Sequence, residues 1–172
     1  MLPWLQRYSL SKTDGNGGVM TILNNESGKY AGYIVQDAAG GPTLDPDFKK
    51  IYDKFSHRIC WIDGDVVPGA FQMNTAWYAA VPERDPIFME HCHDDADELI
   101  GFFGSDPENP NDLGGEIEFT IDGEAHLLTK STIIFAPAGM PHNPMRILKV
   151  DRPIFHFSVV TTAKYDGTNT YK

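Results

Sequence analysis

The chain has 172 residues, of which 41% are hydrophobic and 22% charged, as is usual for a folded protein and not for a disordered one. Its formal net charge of -10 disfavours nucleic acids and anionic membranes as partners, because both would repel an acidic surface. The length predicts a single domain over residues 1–172. The sequence shows neither a basic start followed by an apolar leader nor a run of about 18 apolar residues, so we expect a cytoplasmic protein. Two cysteines are too few for a disulfide scaffold and predict reduced thiols.

Residues 1–56 are predicted to form an N-terminal extension. Gly, Asn and Ser are frequent in its first part, with one short strand-like piece, KYAGYIVQ, at residues 29–36. The segment DPDFKKIYDKF predicts a short helix over residues 46–55, since Asp45 can cap its start and Pro46 suits the first helical position. Its apolar residues share one face of that helix.

Residues 57–162 are predicted to form an antiparallel β-sandwich or barrel. Short apolar runs alternate there with turns, and they predict about eight strands: HRICWI, GAFQMNTAWYAA, PIFMEHCH, ELIGFFG, EIEFTI, EAHLLT, STIIFAP and RPIFHFSVV. No helical stretches lie between them, as parallel crossovers would require. Asp122-Gly123 predicts a two-residue hairpin turn. Residues 163–172 form a polar tail.

Two histidines in HCHDDADE are the first candidates for a chemical role. On a strand His91 and His93 project to the same side, whereas Cys92 between them points away. Ile87 and Met89 would share the histidine face, which would direct both imidazoles into the barrel. An HxH pair by itself is also compatible with an accident of packing.

Glu98 and His142 complete a candidate metal site. Glu98 follows His93 by an odd offset, so we expect the acidic turn at residues 94–97 to reverse the chain and to place Glu98 at the start of the next strand. PAGMPH predicts a tight turn that aims His142 at the same point. Three imidazoles and one carboxylate suit Fe, Mn, Ni, Zn or Cu, of which we expect Fe.

These segments resemble the two signature motifs of the cupin superfamily. The first, G-x5-HxH-x3,4-E-x6-G, is matched by His91, His93 and Glu98; the second, G-x5-PxG-x2-H-x3-N, is matched by Pro137, Gly139 and His142. The resemblance covers roughly residues 70–160. It implies an all-β, antiparallel jelly-roll barrel that holds a divalent metal by three histidines and a glutamate, commonly in a homodimer.

The match departs from the family pattern at four turn or scaffold positions. Asp85 and Ser131 stand where the motifs open with Gly, Gly104 falls one residue early, and Arg146 replaces the closing Asn. These departures concern the shape of the loops more than the metal ligands.

Two further residues are candidates for catalysis. His156 could serve as a proton shuttle, although the pattern of its strand favours a hydrogen-bonded core histidine. Arg146 could bind a substrate carboxylate with its planar guanidinium. Asp94, Asp95 and Asp97 could orient the ligating imidazoles, but a solvated acidic turn is the simpler interpretation.

The hypothesis that follows is a metal-dependent enzyme acting on a small molecule, namely a dioxygenase-like oxidoreductase using Fe(II). The alternatives are a non-enzymatic cupin that binds a metal or a small ligand, and a metal-dependent isomerase or decarboxylase, because the fold does not determine the reaction.

Overall fold

The computed structural model describes residues 11–13, 19–21, 28–36 and 41–163. The chain divides into two compact units, Met1–Val35 and Gln36–Lys172, so the expectation of one domain stays a prediction. In the first unit β1 (Ser11–Thr13) pairs antiparallel with β2 (Val19–Thr21), and a 3-10 helix spans Ala31–Tyr33.

The prediction of a strand at residues 29–36 is wrong, since a 3-10 helix lies there. Gly28 has a φ of 106°, and the amide of Ala31 donates to its carbonyl, which turns the chain into the 3-10 helix. Tyr33 and Ile34 are exposed, so the burial that would favour a strand is missing.

The second unit begins with helix α1 (Pro46–Phe55), which confirms the predicted helix over residues 46–55. Asp45 caps it, since its Oδ1 accepts hydrogen bonds from the amides of Asp47 and Phe48 at 3.0 and 3.1 Å. Phe48, Tyr52 and Phe55 are buried, so the helix packs its apolar face into the core.

Within residues 41–163 eight strands form two antiparallel sheets, and they confirm the predicted all-β jelly-roll class. The strands are β3 (Ser56–Ile62), β4 (Gln72–Tyr78), β5 (Glu98–Phe103), β6 (Asp112–Ile121), β7 (Glu124–Lys130), β8 (Thr132–Ala136), β9 (His142–Val150) and β10 (Ile154–Val160). The first sheet has the order β3-β4-β10-β5-β8, and the second has the order β7-β6-β9. The predicted barrel start at residue 57 lies one residue inside β3.

The core includes large side chains from both sheets and from α1. Its fully buried members include Phe55, Tyr78, Phe102, Phe119, Ile117 and Ile154. Alternation along the strands directs these residues inward. The two sheets thereby enclose the space in which the candidate site lies.

The turn between β6 and β7 is the predicted Asp-Gly hairpin. Asp122 and Gly123 have φ values of 44° and 78°, the left-handed backbone that such a two-residue turn requires.

A second predicted strand, in the barrel, is wrong, and one observed strand was not predicted. The segment PIFMEHCH makes only two isolated bridges, Phe88 to Met145 and His91 to His142, and it is not a regular strand. Met89 is 42% exposed, so it does not share an inward face with the histidines as predicted. The partner of this segment, β9, was missed because Pro144 interrupts the pattern of its sequence.

Within the described ranges, no helix has the length and apolar character needed to cross a membrane. The predicted polar tail falls almost entirely outside those ranges, since Ala163 is the last described residue.

Candidate metal centre

His91, His93, Glu98 and His142, here called the ligand cluster, meet at one point between the two sheets. One ligand atom from each lies within 4.8 Å of all the others. Glu98 Oε2 lies 2.9 Å from His142 Nε2 and 3.2 Å from His93 Nε2. Atoms bound about 2.1 Å from one ion stand about 3.0–3.4 Å apart when adjacent, so these spacings suit a shared cation.

The reversal predicted for residues 94–97 brings Glu98 beside the histidines. Asp94 and Asp95 form a turn, and Glu98 is the first residue of β5. Cys92 is exposed, as expected from its position between the two inward histidines. The odd offset of Glu98 from His93 is therefore accounted for by the turn.

Backbone hydrogen bonds join the two ligand-bearing segments directly. The amide of His91 donates to the carbonyl of His142 at 3.0 Å, and the reverse bond is 2.9 Å. The amide of Gly139 donates to the carbonyl of His93 at 2.8 Å, and Gly139 has a φ of 77° in the predicted turn. The relative positions of three ligands are thus set by main-chain contacts.

Two imidazoles are oriented by the same local contact. His91 Nδ1 lies 3.0 Å from the carbonyl of Met89, and His142 Nδ1 lies 3.0 Å from the carbonyl of Met140. A protonated Nδ1 that donates to each carbonyl leaves the Nε2 lone pair free to bind a metal, which is the usual arrangement around ligating histidines.

The electrostatics of the ligand cluster favour the cation-binding forms of Glu98 and His91, whereas at His142 they favour a proton that a metal would displace. Burial opposes the charge on Glu98, but contacts with His142 and His93 outweigh it and hold its pKa at about 2. Burial lowers the pKa of His91 to about 4, so its imidazole is neutral at pH 7. Burial opposes the positive charge of His142, yet the contact with Glu98 raises the pKa of this imidazole.

Asp97 ties the turn of the second motif to the first segment. Its Oδ1 accepts a hydrogen bond of 2.9 Å from the amide of Ala138, which precedes Gly139. Its own amide donates to Thr161 Oγ1 at 3.1 Å. Asp94 accepts a contact from the Cys92 thiol, and Asp95 is exposed. Of the three aspartates, Asp97 therefore has a structural role beside the ligand cluster, and the structure gives no contact of Asp94 or Asp95 with the ligating imidazoles.

A cavity of about 60 Å³ adjoins the ligand cluster and is lined in part by His91 and Glu98. The rest of its wall is aromatic, aliphatic and polar, and includes Tyr78, Phe102, Phe119, Gln72, Asn74, His156 and Ser158. Because His91 and Glu98 face this space, a small molecule in the cavity would lie beside an ion in the cluster.

His156 lines the cavity, and its ring is packed on both faces. Its ring stacks between Tyr78 and Phe102, with centroids 4.9 and 5.1 Å away, and its Nδ1 lies 3.1 Å from the carbonyl of Gly101. Burial lowers its pKa to about 4. These contacts agree with the core histidine favoured from the sequence, and they make the imidazole a weak base at neutral pH.

Arg146 does not reach the cavity, so the role in substrate binding considered for it from the sequence is wrong. Met145 and Ile147 of β9 are buried, and strand alternation places Arg146 on the other face. There its Nε lies 3.1 Å from Asp85, and its Nη1 lies 3.0 Å from Glu118. Two of the departures from the cupin motifs, Asp85 and Arg146, are therefore ion-pair partners.

Sequence reasoning missed the polar residues of the cavity. Gln72, Asn74, Ala76 and Tyr78 occupy every second position of β4 and so share one face, and this period of two was the available signal. The opposite face of β4 includes Met73 and Trp77, so the sequence did not show which face lies inward.

No protein-family model and no curated protein sequence matches the chain. Similar solved structures include an oxalate oxidase in complex with the substrate analogue glycolate, with 16% identity, 93% of this chain and 76% of that chain covered, and a TM-score of 0.48. KdgF from Halomonas sp. has 15% identity, 66% and 81% coverage, and a TM-score of 0.39. An RmlC-like cupin from Shewanella frigidimarina has 15% identity, 55% and 68% coverage, and a TM-score of 0.35.

The two antiparallel sheets and the convergence of the four motif residues confirm the resemblance to the cupin superfamily.

Proposed function

We propose that this chain, a protein of cupin fold, binds one divalent transition metal through its ligand cluster and uses it to transform a small molecule. The observation that carries the proposal is the convergence of three imidazoles and one carboxylate at the wall of a small cavity. Buried Glu98 Oε2 and His142 Nε2 have no hydrogen-bond partner of good geometry among the described residues, which supports a cation between them.

The reaction that we propose is a dioxygenase-like oxidation with Fe(II) as the metal. The donor set accepts Fe(II) and keeps coordination positions available for small ligands. When bound, the ion would act as a Lewis acid and as a template for the substrate. The residues of the chain then have three tasks: the ligand cluster holds the ion, the aromatic wall restricts water, and the polar wall orients the substrate.

A non-enzymatic role in binding a metal or a small ligand is the second candidate. Among the described residues of the cavity wall outside the ligand cluster, only His156 has a side chain of a type that is charged or that ordinarily titrates near neutral pH. Its low pKa makes it a poor proton carrier. This observation also weighs against an isomerase or decarboxylase that needs a general base at neutral pH.

Oxygen uptake separates these functions. The protein is loaded with Fe(II) under anaerobic conditions, and oxygen is admitted with a panel of small thiols, diketones and hydroxy acids. We expect uptake that depends on one class of compound and is lost in His142→Ala. Metal binding without any such uptake would favour the non-enzymatic role, and uptake unchanged in the variant would contradict the dioxygenase proposal.

We also propose a homodimer in the cytoplasm. Strand β8 lies at the edge of its sheet, and exposed Ile133 and Phe135 on its outer face adjoin Leu99 of β5. An exposed apolar edge of this kind is usually covered, and a second copy of the chain would cover it. Cys60 and Cys92 are both free, which fits a reducing compartment.

A further inference from the structure

Two amide side chains of the cavity wall have buried polar atoms without partners. Gln72 is 1% exposed, and neither its Oε1 nor the Oδ1 of Asn74 has a hydrogen-bond partner in the described part of the chain. Leaving such a buried group unsatisfied is destabilising. Both residues line the cavity beside the ligand cluster, so a molecule in the cavity could satisfy them.

The strand register places these amides on the same sheet face as Glu98, two strands away from it. Gln72 of β4 pairs with Val160 of β10, and Val160 pairs with Glu98 of β5. Paired residues face the same side of a sheet, and neighbouring strands are about 4.8 Å apart, so the backbones of Gln72 and Glu98 are about 10 Å apart. In the next inward row Asn74 pairs with Ser158. A small molecule could therefore contact an ion at one end and the amides at the other.

The size and charge of the cavity restrict the molecule that fits. A volume of about 60 Å³ has room for roughly four to six water-sized groups. No Lys or Arg is among the described residues that line it. A divalent ion beside ionised Glu98 leaves one positive charge, so a monoanion would neutralise the site, whereas a dianion would leave a buried negative charge uncompensated.

Amides select a particular chemical group at the far end of the cavity. An amide offers both an acceptor oxygen and donor hydrogens, and a hydroxyl group can pair with either. We propose that Gln72 and Asn74 bind the hydroxyl group of a small monoanionic hydroxy acid whose carboxylate faces the metal. This inference rests on the proposed metal site and names the class of ligand that the site accepts.

Calorimetric titration of the Co(II)-loaded protein tests the inference. The probes are 3-hydroxypropionate and butyrate, two monoanionic acids with the same number of non-hydrogen atoms that differ in the terminal hydroxyl. We expect 3-hydroxypropionate to bind at least about tenfold more tightly, because butyrate would leave the buried amides unpaired. Malonate, a dianion of similar size, should bind more weakly than 3-hydroxypropionate. Equal affinities for the first two acids, or tighter binding of malonate, would overturn the inference.

Substitutions test whether the two amides cause the difference in affinity between 3-hydroxypropionate and butyrate. Gln72→Met and Asn74→Leu keep the approximate side-chain volume and should each reduce the affinity ratio toward one. Asn111→Leu, a matched change of an exposed amide outside the cavity, should leave the ratio unchanged. A ratio retained in both cavity variants would contradict the assignment. The comparison of acids in the unmodified protein does not depend on whether either variant folds.

The visible absorption of bound Co(II) distinguishes failure of this inference from failure of the metal site. If Co(II) binds and neither acid binds, or both bind equally, the inference fails while the metal site stands. If the unmodified protein does not bind Co(II) at all, or binds it as tightly as His142→Ala does, the proposed function fails and the inference fails with it.

Discussion

Asp97 links the two segments that carry the proposed metal ligands, although it is not itself a ligand. Its carboxylate accepts from the amide of Ala138, and its carbonyl accepts from the amide of Thr161. Groups that position metal ligands commonly contribute as strongly to metal affinity as some ligands do. The sequence suggested only that the three aspartates form an acidic turn, because the partner of Asp97 comes from a segment far along the chain.

We predict that Asp97→Ala weakens binding of the metal by about 10-fold while all four ligands remain. The reason is that the turn before His142 loses the bond that holds it against the first segment. Competition with a metal-binding dye measures the effect, and Asp95→Ala, in the exposed part of the same turn, is the control. Equal affinities of the two variants would show that the Asp97 contact does not position the ligands.

The buried imidazole of His156 predicts a loss of stability in acid. Burial lowers its pKa to about 4 from an ordinary value of 6.5, so between these pH values the unfolded chain binds a proton that the folded chain does not. Stability therefore falls as the pH falls through this window, by up to roughly 3 kcal/mol from this residue.

Urea unfolding of the metal-free protein at pH 7 and pH 4.5 measures that loss. In His156→Phe, which keeps an aromatic ring between Tyr78 and Phe102, we expect a smaller loss, with the part due to His91 remaining. An identical loss in the variant and the unmodified protein would show that His156 does not titrate as described.

Gly104, which falls one residue early in the first cupin motif, is required by the close packing of two strands. A Cβ at this position would lie 1.9 Å from the carbonyl oxygen of Asp112, at the start of β6. The amide of Gly104 donates to Ser131 Oγ, and Ser131 itself replaces the opening Gly of the second cupin motif. The end of β5 and the start of β6 thus approach too closely for a side chain.

We expect Gly104→Ala to lower the free energy of unfolding by more than about 2 kcal/mol, because backbone atoms must move apart. Gly123→Ala is the comparison: a Cβ there meets no atom within 4 Å, and only the positive φ of 78° costs about 1 kcal/mol. Chemical denaturation of both variants gives the two values. A Gly104 variant as stable as the Gly123 variant would contradict the close approach.

The elements were predictable wherever local chemistry determines them. Helix α1 could be predicted from its Asp45-Pro46 start, and the β6–β7 turn from Asp122-Gly123. Strand β9 could not be, because Pro144 obscures its pattern and its pairing is with distant residues. The inward position predicted for Met89 also failed, since strand parity does not hold where a segment makes only isolated bridges.

The metal ligands of the candidate site were predictable from the sequence, because metal binding requires particular residue types at particular spacings. All four members of the ligand cluster could be named, because HxH with a following carboxylate suits metal binding and the PAGMPH turn supplies His142. The polar residues of the cavity wall could not be named, because only the register of β4, β10 and β5 aligns Gln72 with Glu98 and places Asn74 in the next inward-facing row.

At the scale of the whole molecule, the exposed β8 edge predicts self-association. Phe135→Asp should convert the proposed dimer to a monomer, because a charge cannot be buried in an apolar interface. Light scattering after size exclusion measures the mass, and Leu127→Asp, an exposed apolar residue on β7 in the other sheet, is the control. A monomeric unmodified protein, or a Phe135→Asp protein that remains dimeric, would contradict this interface.

The four side chains of the ligand cluster, which meet between the two sheets, are proposed to bind a single metal ion. The net charge of -10 favours the approach of cations to the protein as a whole. Cys92 lies between two of the proposed ligands but points outward, which makes it a suitable internal control.

Elemental analysis of protein purified without chelators measures whether the ligand cluster holds a metal ion. We predict about one divalent transition metal per chain in the unmodified protein and in Cys92→Ala, and a loss of most of it in His91→Ala and His142→Ala. An unmodified protein without stoichiometric metal, or equal metal contents in all three variants, would contradict metal binding by these four residues.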